Sequence, residues 1–539
     1  MGQSWKQFVA AKLVTRDAMI QKHSRNKSVE CSHITALDNI TELTQQLRSG
    51  HISAQDVVRA YISQACAAQQ QTNCLTELCF DDALTQAKRL DDYLKDHGEL
   101  FGPLHGVPVS LKDQFNVKGL DSTLGYVGRA GKPASSNALI VDVLQDLGAI
   151  VLTKTNLPQS ILWCETENPL WGLTTHPMNP DFTPGGSSGG EAALLALHGS
   201  LLGWGTDIGG SIRIPSHMNG LWGLKPSSGR MSYQGVEVSL EGQQHVPSAV
   251  GPMTRSLSSL VLVTKLVIEA EPWLSDSQLP PMPWKNDVFG RFSSKPLVIG
   301  IVPDDGVVKV HPPIARVFRE TVTKLQGAGH EIVEWDTSLH RACIDIMDEY
   351  YSADGGEDVR SAVTEGGEPF VPHVQAFVDR GPPISVYRYW QLNKRKVAAQ
   401  QAYHDQWNST RSASGRPVDV LLIPTMPHTA VAHRCCRWVG YTKVFNFLDY
   451  TALSFPAGKV DKGIDIAQDE SYVPRNDLDA WNQKQYDLES MHGHHISLQL
   501  VGRKFEEEKV LGAAQQVEQL LRERVEDNQK HNEAYTRLR

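Results

Sequence analysis

The sequence predicts an α/β fold, a sheet covered by helices on both faces, and three observations predict it. Val107 to Leu111 and Ile150 to Thr153 are short apolar runs that read as buried strands, and Ala138 to Leu147 between them reads as a helix. The same rhythm returns as strand Leu297 to Val302, helix Pro312 to Gln326 (apolar at 314, 317, 318, 322 and 325) and strand Glu331 to Trp335. With 40% apolar and 21% charged residues, the chain has ample material for the core such a fold needs.

At the start, Trp5, Phe8, Val9 and Leu13 with Lys6, Lys12 and Arg16 make a basic amphipathic opening. Residues 1–37 are read as a helical extension packed on the body. A mitochondrial presequence is the alternative, and Asp17 speaks against it. From Asp38, Ile40, Leu43 and Leu47 share one helical face and Gly50 stops the helix; Ser53-Ala-Gln-Asp56 then forms a capping box for a second helix to about Ala67. Pro280 to Pro283, with Trp284, is a proline-rich crossing into a peripheral subregion. Val418 to Pro424 is again a buried strand, ended near the site by Pro-Thr-Met-Pro-His, 424 to 428. Phe505 to Val525 reads as a closing amphipathic helix, and the polar tail 526–539 as frayed.

A length of 539 residues suggests three or four domains as a soft prior. The net charge of −9 argues against nucleic acid or an anionic membrane as the main partner. Eight cysteines, at 31, 66, 74, 79, 164, 343, 435 and 436, show no CxxC spacing and read as reduced thiols. His433 with Cys435 and Cys436, and His492 with His494 and His495, lack a structural-zinc spacing, so no metal and no cofactor is expected. No signal peptide is visible and no apolar run approaches membrane-spanning length, which points to a cytoplasmic protein with idle Asn-x-Ser/Thr triplets at Asn26, Asn39 and Asn408.

The chemistry concentrates in Thr183 to Pro215, TPGGSSGGEAALLALHGSLLGWGTDIGGSIRIP. Gly185-Gly186-Ser187-Ser188-Gly189-Gly190 lets the backbone approach a ligand closely, and Thr206-Asp207-Ile208-Gly209-Gly210-Ser211 repeats the arrangement 24 residues later. A lone serine on consecutive amides that can hold an oxyanion makes Ser211 the nucleophile candidate. A flexible linker is the bland alternative, but Glu191 to Leu202 is rich in Ala and Leu and reads as helical or buried. Gly186-Ser187-Ser188-Gly189-Gly190 also fits G-x-S-x-G, which would make Ser188 the nucleophile. That elbow needs a strand before it, and Pro180 and Pro184 deny one. Asp207 and Arg213 flank the turn. A surface ion pair there would contribute at most about 1 kcal/mol; rigid amides require instead that the two be buried and bonded to local backbone.

A serine without an obvious histidine needs another base, and Pro108-Val-Ser-Leu-Lys112-Asp113 offers a lysine behind an apolar run. At its ordinary pKa of about 10.4 a lysine is neutral in roughly one molecule in 2,500 at pH 7. Burial that lowers the pKa to about 8 raises that fraction to about a tenth, enough for proton abstraction. The bland alternative is a surface lysine at a strand end.

Together these pieces resemble the amidase signature family, serine hydrolases with a Ser-cisSer-Lys triad, over nearly the whole chain. Lys112 in VSLKD, Ser187 in GGSSGG and Ser211 in GTDIGGSIRIP fall at the lysine, cis-serine and nucleophile positions. Similarity to the fungal acetamidase-like branch runs through Gly102 to Gly106, Lys154 to Gln159, Val250 to Thr254, Val310 to Pro313 and Gln499 to Arg503. His176-Pro177 and His495 depart from the family pattern, which puts the pocket wall in question. The resemblance implies a central mixed twisted sheet in one large unit, residues 38–525, acting on a carboxamide through a Ser211 acyl-enzyme. It also implies a cis Gly186-Ser187 bond, with the Ser187 hydroxyl bridging Lys112 and Ser211. Ile208, Gly209, Gly210, Ser187 and Ile161 are implied for the oxyanion and substrate, with Trp163 and the loop 424–431 as neighbours and Asp207 and Arg213 as support. The partner implied is a small amide, with a homodimer as an open option. Ester or carbamate hydrolysis, a tailoring step on a specialised metabolite, and an amidotransferase-type subunit are the alternatives.

Overall fold

The computed structural model describes residues 4–24, 32–467 and 471–537, with side chains to residue 522. The strands in chain order are β1 (Leu75–Leu78), β2 (Pro108–Lys112), β3 (Ile150–Thr155), β4 (Glu167–Asn168), β5 (Gly172–Leu173), β6 (Leu202–Asp207) and β7 (Trp222–Lys225). They continue with β8 (Ala249–Thr254), β9 (Val298–Ile301), β10 (Glu331–Glu334), β11 (Val420–Pro424), β12 (Ala452–Lys459) and β13 (His495–Val501). Eleven form one sheet in the order β1-β3-β2-β6-β8-β7-β12-β13-β11-β9-β10, and β4 and β5 make a small separate ribbon. The sheet is mixed. Pairs β2/β3, β2/β6, β9/β10 and β9/β11 are parallel, and the central pairs from β6 to β11 are antiparallel.

Side-chain alternation shows why both faces carry helices. Along β11, Leu421 and Ile423 join a core beneath helices His340–Tyr351, Val386–Ser409 and Gly440–Phe447. Val420 and Leu422 join another beneath Leu257–Glu269, Pro312–Gly327 and the last helix. Each fully buried aliphatic side chain stabilises the fold by about 1.5–3 kcal/mol relative to exposure.

Elements with strong local signals fall within a few residues of expectation. Asn39 caps Ile40–Arg48 by accepting from the amides of Thr41 and Glu42. The Ser53/Asp56 capping box is present, and its helix runs past Ala67 to Thr72, where Asn73 ends it in the left-handed region. The first helix, Trp5–Ser24, lays Trp5, Phe8, Val9 and Leu13 on Leu170 and Trp171, and its Lys12 pairs with Glu77 and Asp121. The last helix, expected to end at Val525, is Glu507–Arg537.

Strands β6, β7 and β8 carry no sequence-based assignment, because glycines interrupt them. The glycines answer to packing instead. A Cβ on Gly205 would stand 2.7 Å from Ser188 Oγ, and one on Gly203 would strike Glu191. Helix Gly189–Ala196 therefore lies directly on β6, and the two glycine-serine clusters meet across it. Among the described residues no helix is long and apolar enough to cross a membrane, no cluster of metal-ligating side chains occurs, and the cysteines are free thiols. Cys31 and Asn26 lie outside the described residues.

Candidate active site

Lys112 ends β2, and Thr206 and Asp207 end β6, its parallel neighbour. Alternation along β2 sends Val109 and Leu111 into the apolar core and turns Ser110 and Lys112 to the opposite face, under the serine clusters. Lys112 is fully buried, and its Nζ lies 2.7 Å from Ser187 Oγ and 3.0 Å from Thr206 Oγ1. The Gly186-Ser187 peptide bond is cis.

The neighbours of Lys112 decide which way its hydrogen bonds run. Gln114 Nε2 donates to the Glu237 carbonyl at 2.7 Å, so Gln114 Oε1 faces Thr206 and accepts its hydroxyl proton, also at 2.7 Å. Thr206 Oγ1 has no proton left and must accept from Lys112. Burial drives the Lys112 pKa down to about 7, against the opposing fields of Asp207, Glu191 and Asp113. Neutral Lys112 then keeps one N–H on Thr206 and can turn its lone pair to the Ser187 hydroxyl. Glu191 sits behind it, pushed up to about 7 by burial, although Ser110 and Thr155 donate to its carboxylate and Lys112 lowers it. Sequence reasoning missed Thr206, Gln114 and Glu191. Thr206 and Glu191 sit inside the quoted 183–215 stretch and Gln114 directly follows the quoted lysine motif, but only the fold turns them toward one nitrogen.

The turn after β6 is held by Asp207 and Arg213, both without solvent exposure. Arg213 Nε and Nη2 fork onto the carboxylate at 3.0 and 2.9 Å, while its remaining donors reach the Thr442 carbonyl, Gln499 and Asn446. Asp207 also accepts from the amides of Gly210 (2.8 Å), Ile212 and Arg213, and from Asn446. Burial alone would raise its pKa, but the Arg213 guanidinium holds it well below the carboxylate range. One expectation changes here: Gly210 is not a free oxyanion donor, since its amide is committed to Asp207. Its φ of 133° gives the residue a conformational reason to be glycine. The amides of Gly209 and Ser211 have no acceptor among the described residues.

A cavity of about 250 Å³ opens above this turn, with Ser211, Gly186, Ile208, Gly209 and Ile161 in its wall. Trp163 lines it as expected, whereas the loop 424–431 does not. That loop is taken up elsewhere: the His428 carbonyl meets His217, and Thr425 meets Ser454. The wall is completed by residues that sequence reasoning missed, among them Tyr351, Phe377, Arg380, Arg437, Trp438 and Lys443. Tyr351 braces the glycine turn, its hydroxyl donating to the Ile208 carbonyl at 2.8 Å. The departures at His176 and His495 leave the wall untouched. His176 bonds the Met218 carbonyl, and His495 packs against Gly220.

Ser187 and Ser211 come together through the backbone, with the Ser188 amide donating to the Ser211 carbonyl at 3.1 Å. A hydroxyl-to-hydroxyl bond between Ser187 and Ser211 does not occur among the described residues, so the expected bridge is made on the Lys112 side only. Ser188 is sealed under Gly205 with an unpartnered Oγ, and no strand leads directly into it, the preceding one ending at Leu173, so the elbow arrangement is absent.

Removing Arg213 would leave Asp207 as a buried, unpaired charge. Arg213→Ala is expected to lower stability by about 3–5 kcal/mol. Denaturant unfolding followed by tryptophan fluorescence measures this, and a loss under about 1 kcal/mol, the level of a surface pair, would contradict it.

The amidase family model matches residues 56–511. Amidase 1 of Gibberella moniliformis is 63% identical over 97% of this chain and all of its own length. The acetamidase of Emericella nidulans is 38% identical over 89% of this chain and 88% of its own. Among solved structures, a fatty acid amide hydrolase superposes with a TM-score of 0.86 at 33% identity, covering 97% of this chain and 91% of that one. With family match, relatives and fold agreeing over the whole sheet and both serine clusters, the chain belongs to the amidase signature family.

Proposed function

We propose that Ser211 is the nucleophile of this amidase and that Ser187 and Lys112 move its proton. The chain is a hydrolase of amide carbon–nitrogen bonds. The observation that supports these roles best is the orientation of Lys112, whose nitrogen is committed to Thr206 on one side and faces Ser187 on the other.

Ser211 Oγ attacks the carboxamide carbon while its proton passes to Ser187 Oγ, whose own proton goes to Lys112 Nζ. The carbonyl oxygen becomes an oxyanion on the turn Ile208 to Ser211, chiefly at the amides of Gly209 and Ser211. Lys112, now ammonium, returns its proton through Ser187 to the leaving nitrogen, and the carbon–nitrogen bond breaks. The acyl group stays on Ser211. Water then attacks the ester, losing its proton along the same relay, and releases the carboxylate and free Ser211. For a primary amide the leaving group is ammonia. Ile161, in the wall beside Ser211, contacts the acyl group in this reading, and Asp207 with Arg213 keeps the turn rigid. No step calls for a cofactor. Residues 38–525 act here as one catalytic unit.

Ser211→Ala should abolish turnover and covalent labelling by a fluorophosphonate, while Ser188→Ala keeps the labelling; labelling lost only in the Ser188 variant would sink the assignment. The pH dependence follows from the lowered lysine. Below about pH 7 Lys112 is protonated and cannot accept, so kcat/KM should rise with pH through an apparent pKa near 7. Ser187→Ala should slow hydrolysis by about 10²–10⁴-fold. Lys112→Ala should be slow and should lack the acidic limb; an undiminished rate in that variant would remove the mechanism.

A further inference from the structure

Taking the Ser211 reading as given, we propose that the cavity selects amides carrying a carboxylate at the end remote from the scissile bond, and that Arg380 and Arg437 receive it. The wall is graded by burial. Ile161, Ile208 and Ile214, around Ser211, are buried and offer nothing to pair with a charge. Trp163 and Tyr351 add aromatic surface. Arg380 and Arg437 are exposed, which places them at the mouth.

The charges of the wall do not balance. Arg380, Arg437 and Lys443 face a single carboxylate, Asp348. Lys443 makes a close ion pair with Asp348, and Arg380 reaches the same carboxylate only at 4.0 Å. Arg437 has no ion pair among the described residues; its guanidinium lies over the Trp481 ring at 3.3 Å, and Trp481 is pinned by donating to the Cys435 carbonyl. Arg380 lies over Phe377 at 5.3 Å. A guanidinium resting on an aromatic face keeps its N–H groups in its own plane, pointing outward, in the fork that matches a carboxylate.

The rest of the protein makes this local excess informative. The chain carries a net charge of −9, so its overall field repels anions, and the cationic mouth works against that field at one place. A neutral amide gains only the apolar wall. An amide with a distal carboxylate gains the wall together with Arg437, which has no ion pair among the described residues, and Arg380, which shares Asp348 with Lys443, and an amide with a distal ammonium is rejected.

The test compares straight-chain mono-amides of dicarboxylic acids, from succinamate to suberamate, with the uncharged amide and the ω-amino amide of each chain length. Both kcat/KM in the wild-type enzyme and Kd in Ser211→Ala are measured. At the length that spans the cavity, the carboxylate compound should be preferred over the neutral one by at least about tenfold, the ratio expected of one charge-assisted hydrogen bond. The ammonium compound should be worst. Arg380→Gln/Arg437→Gln should bring the ratio toward unity, mainly through KM and Kd. In the unmodified protein, about 1 M sodium chloride should do the same, because it screens charges beyond roughly 3 Å. A ratio at or below one across the series, or one unmoved by both the double variant and salt, overturns the proposal. Intact preference in Kd with no turnover of any amide would sink the nucleophile reading and leave this proposal standing.

Discussion

Burying a lysine nitrogen with no carboxylate against it is the constraint on which the site depends. Lys112 is fully enclosed, and among the described residues its nitrogen meets only the hydroxyls of Ser187 and Thr206. An ammonium there lacks most of the hydration it would have in water, so the neutral amine becomes accessible near pH 7. The adjacent carboxylate would undo this if it turned inward. Asp113 is held away, accepting from the amides of Thr123 and Leu124 and from the Thr123 hydroxyl. Glu191 is kept from full ionisation by the same burial that acts on the lysine.

On the neighbouring strand, directly after Thr206, the opposite electrostatic solution is used. Asp207 and Arg213 are as deeply buried as Lys112 but are paired bidentately, and every remaining donor of Arg213 has an acceptor. The buried charges are tolerable because the hydrogen bonding is complete. The pair closes the loop from the end of β6 to the helix Arg213–Asn219 and thereby sets the direction of the Gly209 and Ser211 amides. Lys112 and the Asp207–Arg213 pair thus stand at the ends of the neighbouring strands β2 and β6, the lysine without a carboxylate against it and the pair fully hydrogen-bonded.

Glycine placement links this chemistry to the fold. The glycines of β6 leave room for the helix that starts at Gly189, and that close approach brings Ser187 over Lys112. The same glycines concealed β6 in the sequence, because a strand reading relies on β-branched and aromatic residues. Strand β8, with Gly251 and Pro252 in its interior, was hidden for a similar reason. Elements with a local signature were legible. The capping box at Ser53, the helix from Pro312 and the apolar strands β2, β3 and β11 stand within a few residues of their expected positions.

By itself the sequence determined the reactive residue types and their spacing: two serines on glycine turns, a lysine behind an apolar run, an Asp/Arg pair flanking the second turn, and a strand-helix rhythm that requires a covered sheet. These are local in the chain, and local chemistry limits what they can do. The tertiary structure alone decided what surrounds them. Gln114 orients Thr206, Tyr351 braces Ile208, Asp207 takes the Gly210 amide, and the cavity wall is completed by segments near 344–351, 377–380 and 437–443 rather than by 424–431. The direction of a hydrogen bond and the composition of a pocket wall arise from contacts between segments far apart in the chain, and those contacts leave no periodicity or spacing for a sequence to display.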